Sequence, residues 1–550
     1  MDEHVHDVLP EPGHLVTEEA APARPSVQPS AQCLARARTL SVAVVGGGLA
    51  GLAAALQLSA WGASVTVYEA RTQVGGRVLS DTTFVKGRVV ELGAELIGSI
   101  HTRWCALAKR YGIGLISRTD SGLVRGAQLE ERVILDRLLT PHEADTLARE
   151  LDAVLRRIAE FARDTIPAGM ESHPWDLPRL REHDRRSVAE ALETFGVRRG
   201  TRLWQALELF LVNNNVARLE QMSYLALLCL VRGGQTSRRP DGSRATIAED
   251  SLMGYWDELE IYRCAVGSQR LALAMAAEIN SRKGSRVVRQ LGVRKIDLPR
   301  AGGGVFVTSR STKDTPFDRW LRERIPDNPL MDTRRYDHVV LAVPPTVWGD
   351  LEIVPTHPKD VIGILGSGPA VKFFSRLPRR FWIEQGWAPL GGSLRIGQVW
   401  EGTDNQMQAG AQPIVLNVFT GARTPTATEY VEGLAELYPP TPGVARSGYR
   451  ASLKDVTRDT KLVDWSRQPF IRTGYASPRV GQVFTIGREL NEPFGGRLFF
   501  AGEHTQLDHF GYMEGAIRSG EQAARRLLDQ ACRHLERRPE PVLVAGTIPA

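Results

Sequence analysis

The stretch that most constrains this chain is Ser41–Arg77, SVAVVGGGLAGLAAALQLSAWGASVTVYEARTQVGGR, where two apolar runs bracket a glycine cluster and an Ala/Leu-rich segment. It reads as strand, turn, helix, strand. Val42–Val45 run into Gly46, Gly48 and Gly51, the spacing that lets a backbone turn tightly and pass close to a pyrophosphate at a helix N-terminus. Leu49 and Ala50 open the helix. Glu69 closes the second run, Val65–Tyr68, about 20 residues on, where a carboxylate can accept hydrogen bonds from ribose hydroxyls. A dinucleotide is therefore the expected ligand, against the alternative that the glycines only make a tight turn.

Ala70 and Arg71 follow the acid, and Gly75, Gly76 and Arg77 come soon after. This extension resembles the flavoprotein form of the fingerprint in the glutathione-reductase-like and amine oxidase families, which favours FAD over NAD. The remaining properties exclude several other classes. At 550 residues the chain can hold two or three domains, and 42% hydrophobic with 24% charged residues is a globular composition. The formal charge of +6 comes from scattered arginines without a dense basic run, so no nucleic-acid partner is expected. Five cysteines, Cys33, Cys105, Cys229, Cys264 and Cys532, contain no CxxC pair, favouring a reducing compartment and no structural zinc. Residues 1–40, rich in Pro, Ala, Glu and His, lack a secretion signal and are expected to be disordered. No run has the apolar length of a membrane span, so a soluble, cytoplasmic protein is expected.

Further along, ELGAELIG at 91–98 precedes a helix expected over Thr102–Arg110. The block from about Leu129 to Glu260 reads as helical, with Leu147, Leu151, Val154, Leu155, Ile158 and Phe161 at helical spacing and a capping box at Ser187 and Glu190. From Tyr262 the pattern returns to turn, helix and strands. Residues 311–335 read as a surface excursion, YDHVVLAVPP at 336–345 as a buried strand ended by prolines, Ile414–Phe419 as a strand, and Gly421–Thr428 as a loop. The closing GRLFFAGEHTQLDHFGYMEGAIRSGEQAARRLL at 496–528 gives a strand and then a helix from near Met513.

Taken in order, GGGLAGL, EA…GGR, ELGAELIG, YDHVVLAVPP and FAGEHT…GYMEGAIRSGE resemble the FAD-dependent amine oxidase family, which includes monoamine, polyamine and L-amino acid oxidases; the likeness covers roughly Val42–Leu528. It implies an α/β protein: a Rossmann-like, glutathione-reductase-like FAD-binding domain with a discontinuous α+β substrate-binding domain. The implied division is 41–125, 262–345 and 455–532 for FAD, 126–261 and 346–454 for substrate, and a flexible tail at 533–550. The resemblance places Gly93, Ala94, Glu95 and Leu96 under the flavin ring, although small residues there also simply permit a bend. Val293 falls on the adenine side. Gly502, Glu503, Gly511, Met513 and Ala516 complete the cofactor set.

Lys372 matches the position whose ammonium holds a water against flavin N5, where a cation stabilises reduced flavin. Tyr475 and Tyr512 match an aromatic cage that aligns the amine, and Trp465 a tryptophan near the flavin; core packing is the rival for all three. Gly474 stands where mitochondrial monoamine oxidases carry the flavin-bonded cysteine, which implies non-covalent FAD. Arg103 does not identify an amino acid substrate, since family members that oxidise plain amines carry a similar arginine. The implied reaction is hydride transfer from the α-C–H of a primary amine or amino acid to FAD, with O2 reduced to hydrogen peroxide. An L-amino acid oxidase or decarboxylase, a C–C desaturase and a flavin scaffold are the alternatives. A homodimer is possible, and the chain leaves the amine open.

Overall fold

The computed structural model of the chain describes residues 29–117, 129–239, 243, 245, 251–300, 303–313, 331–355, 365–404, 413–444, 447–451 and 456–536. Valine-rich runs build its central sheet. Five parallel strands lie in the order Arg286–Arg289, Ser64–Glu69, Ser41–Val45, His338–Leu341 and Leu498–Phe500. The order departs in both directions from Ser41–Val45, so a crevice opens beyond its carboxyl end, the position where doubly wound sheets hold ligands. Val42, Ala43 and Val44 have no exposed surface, as expected of a parallel strand covered on both faces.

Helix Leu49–Ala60 covers one face and packs against the closing helix, Met513–Glu536. A second sheet of four strands, Asp332–Tyr336, Val305–Ser311, Leu291–Asp297 and Glu352–Val354, packs over the other side. A further sheet has six strands in the order Thr460–Asp464, Ala370–Leu377, Ile414–Gly421, Gly397–Glu401, Trp387–Ser393 and Glu130–Ile134. Beside it lie the helices Pro141–Thr165, Val188–Thr194, Arg202–Asn215 and Tyr224–Thr236, whose apolar faces form one shared core. The capping box of Ser187 and Glu190 is present.

Several sequence expectations are corrected. The leader expected to be disordered contains a helix, Ala31–Ala37, whose Ser30 hydroxyl accepts from Cys33 N–H. Its Ala37 packs with Leu528 and Cys532 of the closing helix. Cys33 and Cys532 are joined as a disulfide with Cα atoms 5.6 Å apart, which removes the cysteine argument for a reducing compartment. Alkylation in denaturant without reductant should therefore modify three thiols, Cys105, Cys229 and Cys264; five modified thiols in protein purified without reductant would contradict the pairing. The helical block also contains a strand, Glu130–Ile134, because its backbone groups find a partner in Trp387–Ser393 far along the chain. Within the surface excursion, Asp332–Tyr336 pairs with Val305–Ser311, and residues 314–330 lie outside the described residues. The loop expected to reach Thr428 ends earlier, because Thr426 and Glu429 form a capping box that starts a helix at Ala427. The closing helix runs to Glu536, past the tail boundary expected at 533.

Candidate active site

The glycine turn and the later motifs line one long cavity that starts at the carboxyl ends of the central strands. Its volume is about 280 Å³. Gly46, Gly48, Leu49, Ala50, Glu69, Ala70, Arg71, Gly76 and Arg77 line one end with Val293, Gly502 and Glu503. Gly93, Ala94, Glu95, Leu96, Lys372, Trp465, Tyr475, Gly511, Tyr512, Met513 and Ala516 also line it. Gly51 does not. It sits behind the turn, where an added Cβ would meet Gly46 O at 2.0 Å, so its part is to let the helix approach the strand.

The cavity end near Ser41–Val45 has the shape of a phosphate cradle. Gly46 has φ +110°, which favours glycine, and Gly75 N–H donates to Gly47 O at 2.9 Å, joining the two glycine groups. A Cβ on Gly48 would meet only Gly76 Cα, at 4.0 Å, and would otherwise stand in the open space at the helix N-terminus. Glu69 accepts from Gly47 N–H at 2.8 Å and Arg71 N–H at 2.7 Å; burial nevertheless pushes its carboxyl above the ordinary range. Glu503 accepts from Arg77 at 2.7 Å and from the backbone N–H groups of Ala476 and Gly511, tying three regions of the chain around the cavity.

Strand Ala370–Leu377 brings Lys372 to the cavity, where its ammonium donates to Glu91 O at 2.8 Å, Gly93 O at 3.2 Å and Glu95 Oε2 at 2.6 Å. Burial alone would push the Glu95 carboxyl up, but Lys372 and Arg263 more than offset this and hold it below its ordinary range. Trp465 packs over Gly93, where a Cβ would meet its ring at 2.9 Å, and its Nε1–H donates to Leu92 O. The Tyr475 hydroxyl shares its one proton between the carbonyls of Asn213 and Asn214, at 3.0 and 3.1 Å, where the end of helix Arg202–Asn215 leaves carbonyls unpaired. The Tyr512 and Tyr255 hydroxyls are 3.1 Å apart. Burial raises both cavity phenols well above their usual range, so they are neutral rings.

Glu91, whose backbone carbonyl accepts from Lys372, has a carboxyl that accepts from the Ser80 hydroxyl and from Ser268 N–H, and burial pushes it up to about 7. A folded-state value above the unfolded one favours the native protein at low pH, and this contribution is lost as pH rises toward about 7. Glu91→Gln should therefore abolish a stability decline of up to about 3 kcal/mol between pH ~4.5 and ~7, measured by denaturant melts of both proteins across that range. Parallel curves would contradict the assignment.

Motif reading missed several residues at the cavity, among them His504, Trp400, Phe419 and Glu260. His504 is buried, lies edge-on to Trp348, and has both ring nitrogens without a hydrogen-bond partner among the described residues. Burial lowers its imidazole to about 4. A buried polar ring left unsatisfied at a cavity wall fits a bound polar cofactor, and its adjacency to Glu503 in AGEHT was the available signal. Trp400 and Phe419 line the same cavity from adjacent strands. Their orientation depends on a sheet register that sequence spacing does not reveal.

The parallel sheet, its glycine turn and the cavity beyond them define an α/β protein with a ligand crevice at the carboxyl ends of its central strands. The sequence profile of the flavin containing amine oxidoreductase family matches residues 49–528, and the chain belongs to that family. Its sequence is 24% identical over 519 residues to a flavin-containing amine oxidase of Oncorhynchus mykiss, covering 89% of this chain and 86% of the relative. It is also 24% identical over 523 residues to flavin-containing amine oxidase A of Bos taurus, covering 89% and 85%. Among solved structures, putrescine oxidase bound to putrescine matches with TM-score 0.66 at 21% identity, over 89% of this chain and 99% of that one. Cyclohexylamine oxidase from Brevibacterium oxydans matches with TM-score 0.65 at 21% identity, over 90% and 100%. The chain is thus a flavin-dependent enzyme of amine oxidation with the expected fold class. No helix among the described residues is long and apolar enough to cross a membrane.

Proposed function

We propose that the enzyme binds FAD non-covalently and oxidises a primary amine, using O2 as the electron acceptor. The observation that carries this reading is the single cavity running from the Gly46–Gly48 cradle to Lys372, Tyr475 and Tyr512. FAD, rather than a shorter flavin, accounts for Glu69 and the glycine cradle lying in the same cavity as the tyrosines. Non-covalent binding is supported at Gly474, where a Cβ would meet Ala370 Cβ at 2.5 Å and Gly368 O at 2.8 Å, and no cysteine is among the lining residues.

When bound, FAD supplies the two-electron acceptor for the hydride leaving the amine α-carbon. Tyr475 and Tyr512 orient the neutral amine and exclude water with their ring faces, while their hydroxyls are held by Asn213, Asn214 and Tyr255. The amine lone pair assists hydride departure, so no side chain serves as a strong base. The imine product is hydrolysed to a carbonyl compound and ammonia.

A plain amine is favoured over an amino acid because Arg103 is absent from the cavity lining and paired with Glu521 at 2.6 Å. Glu260, a carboxylate, lines the cavity and influences Tyr475 and Tyr512 electrostatically. A peroxide-coupled screen of monoamines, diamines and amino acids tests the reading: amines are expected to yield peroxide and ammonia. Turnover confined to amino acids would overturn the substrate assignment.

A further inference from the structure

Lys372 stands mid-strand, paired across the sheet with Phe419 and Val463, and is 4% exposed. An ammonium has three N–H donors. Here Glu91 O, Gly93 O and Glu95 Oε2 accept from it. The other Glu95 oxygen lies 2.8 Å from Arg263 Nε and accepts from Trp400 Nε1 at 3.1 Å, while Arg263 is also ion-paired with Asp404. Both Glu95 and Lys372 are nearly inaccessible, so this pair is shielded little by solvent.

We propose that Glu95 sets how readily the reduced flavin passes its electrons to O2, by cancelling the charge that Lys372 would otherwise bring to the reacting end of the cavity. This rests on the reading that FAD occupies the cavity. In the step concerned, the anionic reduced flavin gives up two electrons and one proton, and O2 takes these with one further proton from solvent to become hydrogen peroxide. Reduced flavin and partly reduced oxygen both carry negative charge, so nearby net positive charge favours them. Glu95 withholds that charge and acts through Lys372 as a positioning residue. Whatever else touches Arg263 and Asp404, Glu95→Gln adds one unit of positive charge at this wall and Lys372→Met removes one.

The two substitutions should therefore move the flavin in opposite directions, which a loss of packing would not do. On flavin-loaded protein, Glu95→Gln should tighten sulfite binding to the oxidised flavin by about tenfold, raise its midpoint potential and speed its reoxidation by O2. Lys372→Met should weaken sulfite binding by about tenfold, lower the potential and slow reoxidation. The double variant Glu95→Gln/Lys372→Met restores the charge balance and should return all three readings toward wild type. Because it leaves neither partner of the pair as a lone buried charge, it decides the matter if a single variant fails to hold flavin. Unchanged or weaker sulfite binding in Glu95→Gln, or a double variant more impaired than either single one, would overturn the proposal. Sulfite binding needs no amine, so it judges Glu95 even if no amine bleaches the flavin, a result that would instead overturn the functional reading.

Discussion

Gly48→Leu is expected to fold as the wild type does and to purify without flavin. Gly48 has φ −75° and ψ 175°, a conformation any residue adopts, and a Cβ there meets only Gly76 Cα at 4.0 Å. The change at the helix N-cap itself should cost no more than about 1 kcal/mol. A leucine side chain would instead fill the space between the N-terminus of helix Leu49–Ala60 and Gly76. Flavin affinity should fall by at least about 100-fold, equivalent to about 3 kcal/mol. The melting temperature should stay within about 4 °C of that of wild-type apoprotein. Gly51→Ala provides the contrast, since its Cβ would meet Gly46 O at 2.0 Å and the turn itself must shift. Bound flavin at wild-type stoichiometry in Gly48→Leu would remove the cradle from the account.

The amine end should respond to the rings and much less to their hydroxyls. Tyr475→Phe loses the donations to Asn213 O and Asn214 O, at a stability cost of about 1 kcal/mol, and keeps the ring in place. Tyr512→Phe loses only the contact with the Tyr255 hydroxyl. Each Phe variant should bleach its flavin with amine, without oxygen, within severalfold of the wild-type rate. On the proposed reading Tyr475→Ala and Tyr512→Ala remove the ring faces that would orient the amine and exclude water, and each should slow the same reaction by about 100-fold or more. Flavin content should be retained in all four. Rapid reduction in the alanine variants would make these rings packing residues.

How much of this was legible in the chain depended on sequence distance. Ser41–Arg77 announced its strand, turn and helix because glycine spacing, apolar runs and the acid encode local geometry. The motif residues around Lys372, Tyr475 and Tyr512 were identified by resemblance, and the structure brings them to the same cavity as the glycine turn. Glu95 was read as a cofactor contact, yet its carboxylate is engaged by Lys372, 277 positions away, a pairing that depends on the six-stranded sheet. The strand Glu130–Ile134 was missed for a similar reason, since its partner begins at Trp387. The disulfide between Cys33 and Cys532 closes a separation of 499 residues, which an odd count of cysteines cannot reveal. Thr426 was different: its capping box with Glu429 was local and readable, but the surrounding Gly, Thr and Pro suggested only a loop.

The proposed reading is that one cavity joins FAD to an amine held at Tyr475 and Tyr512. Its most direct test is anaerobic titration of the flavin-loaded enzyme with a primary amine identified by the peroxide screen, followed at the flavin absorbance band. The account predicts complete bleaching at one amine per flavin, followed on admission of air by full return of the band and one hydrogen peroxide per flavin. A fully flavinated enzyme that no amine bleaches would contradict it.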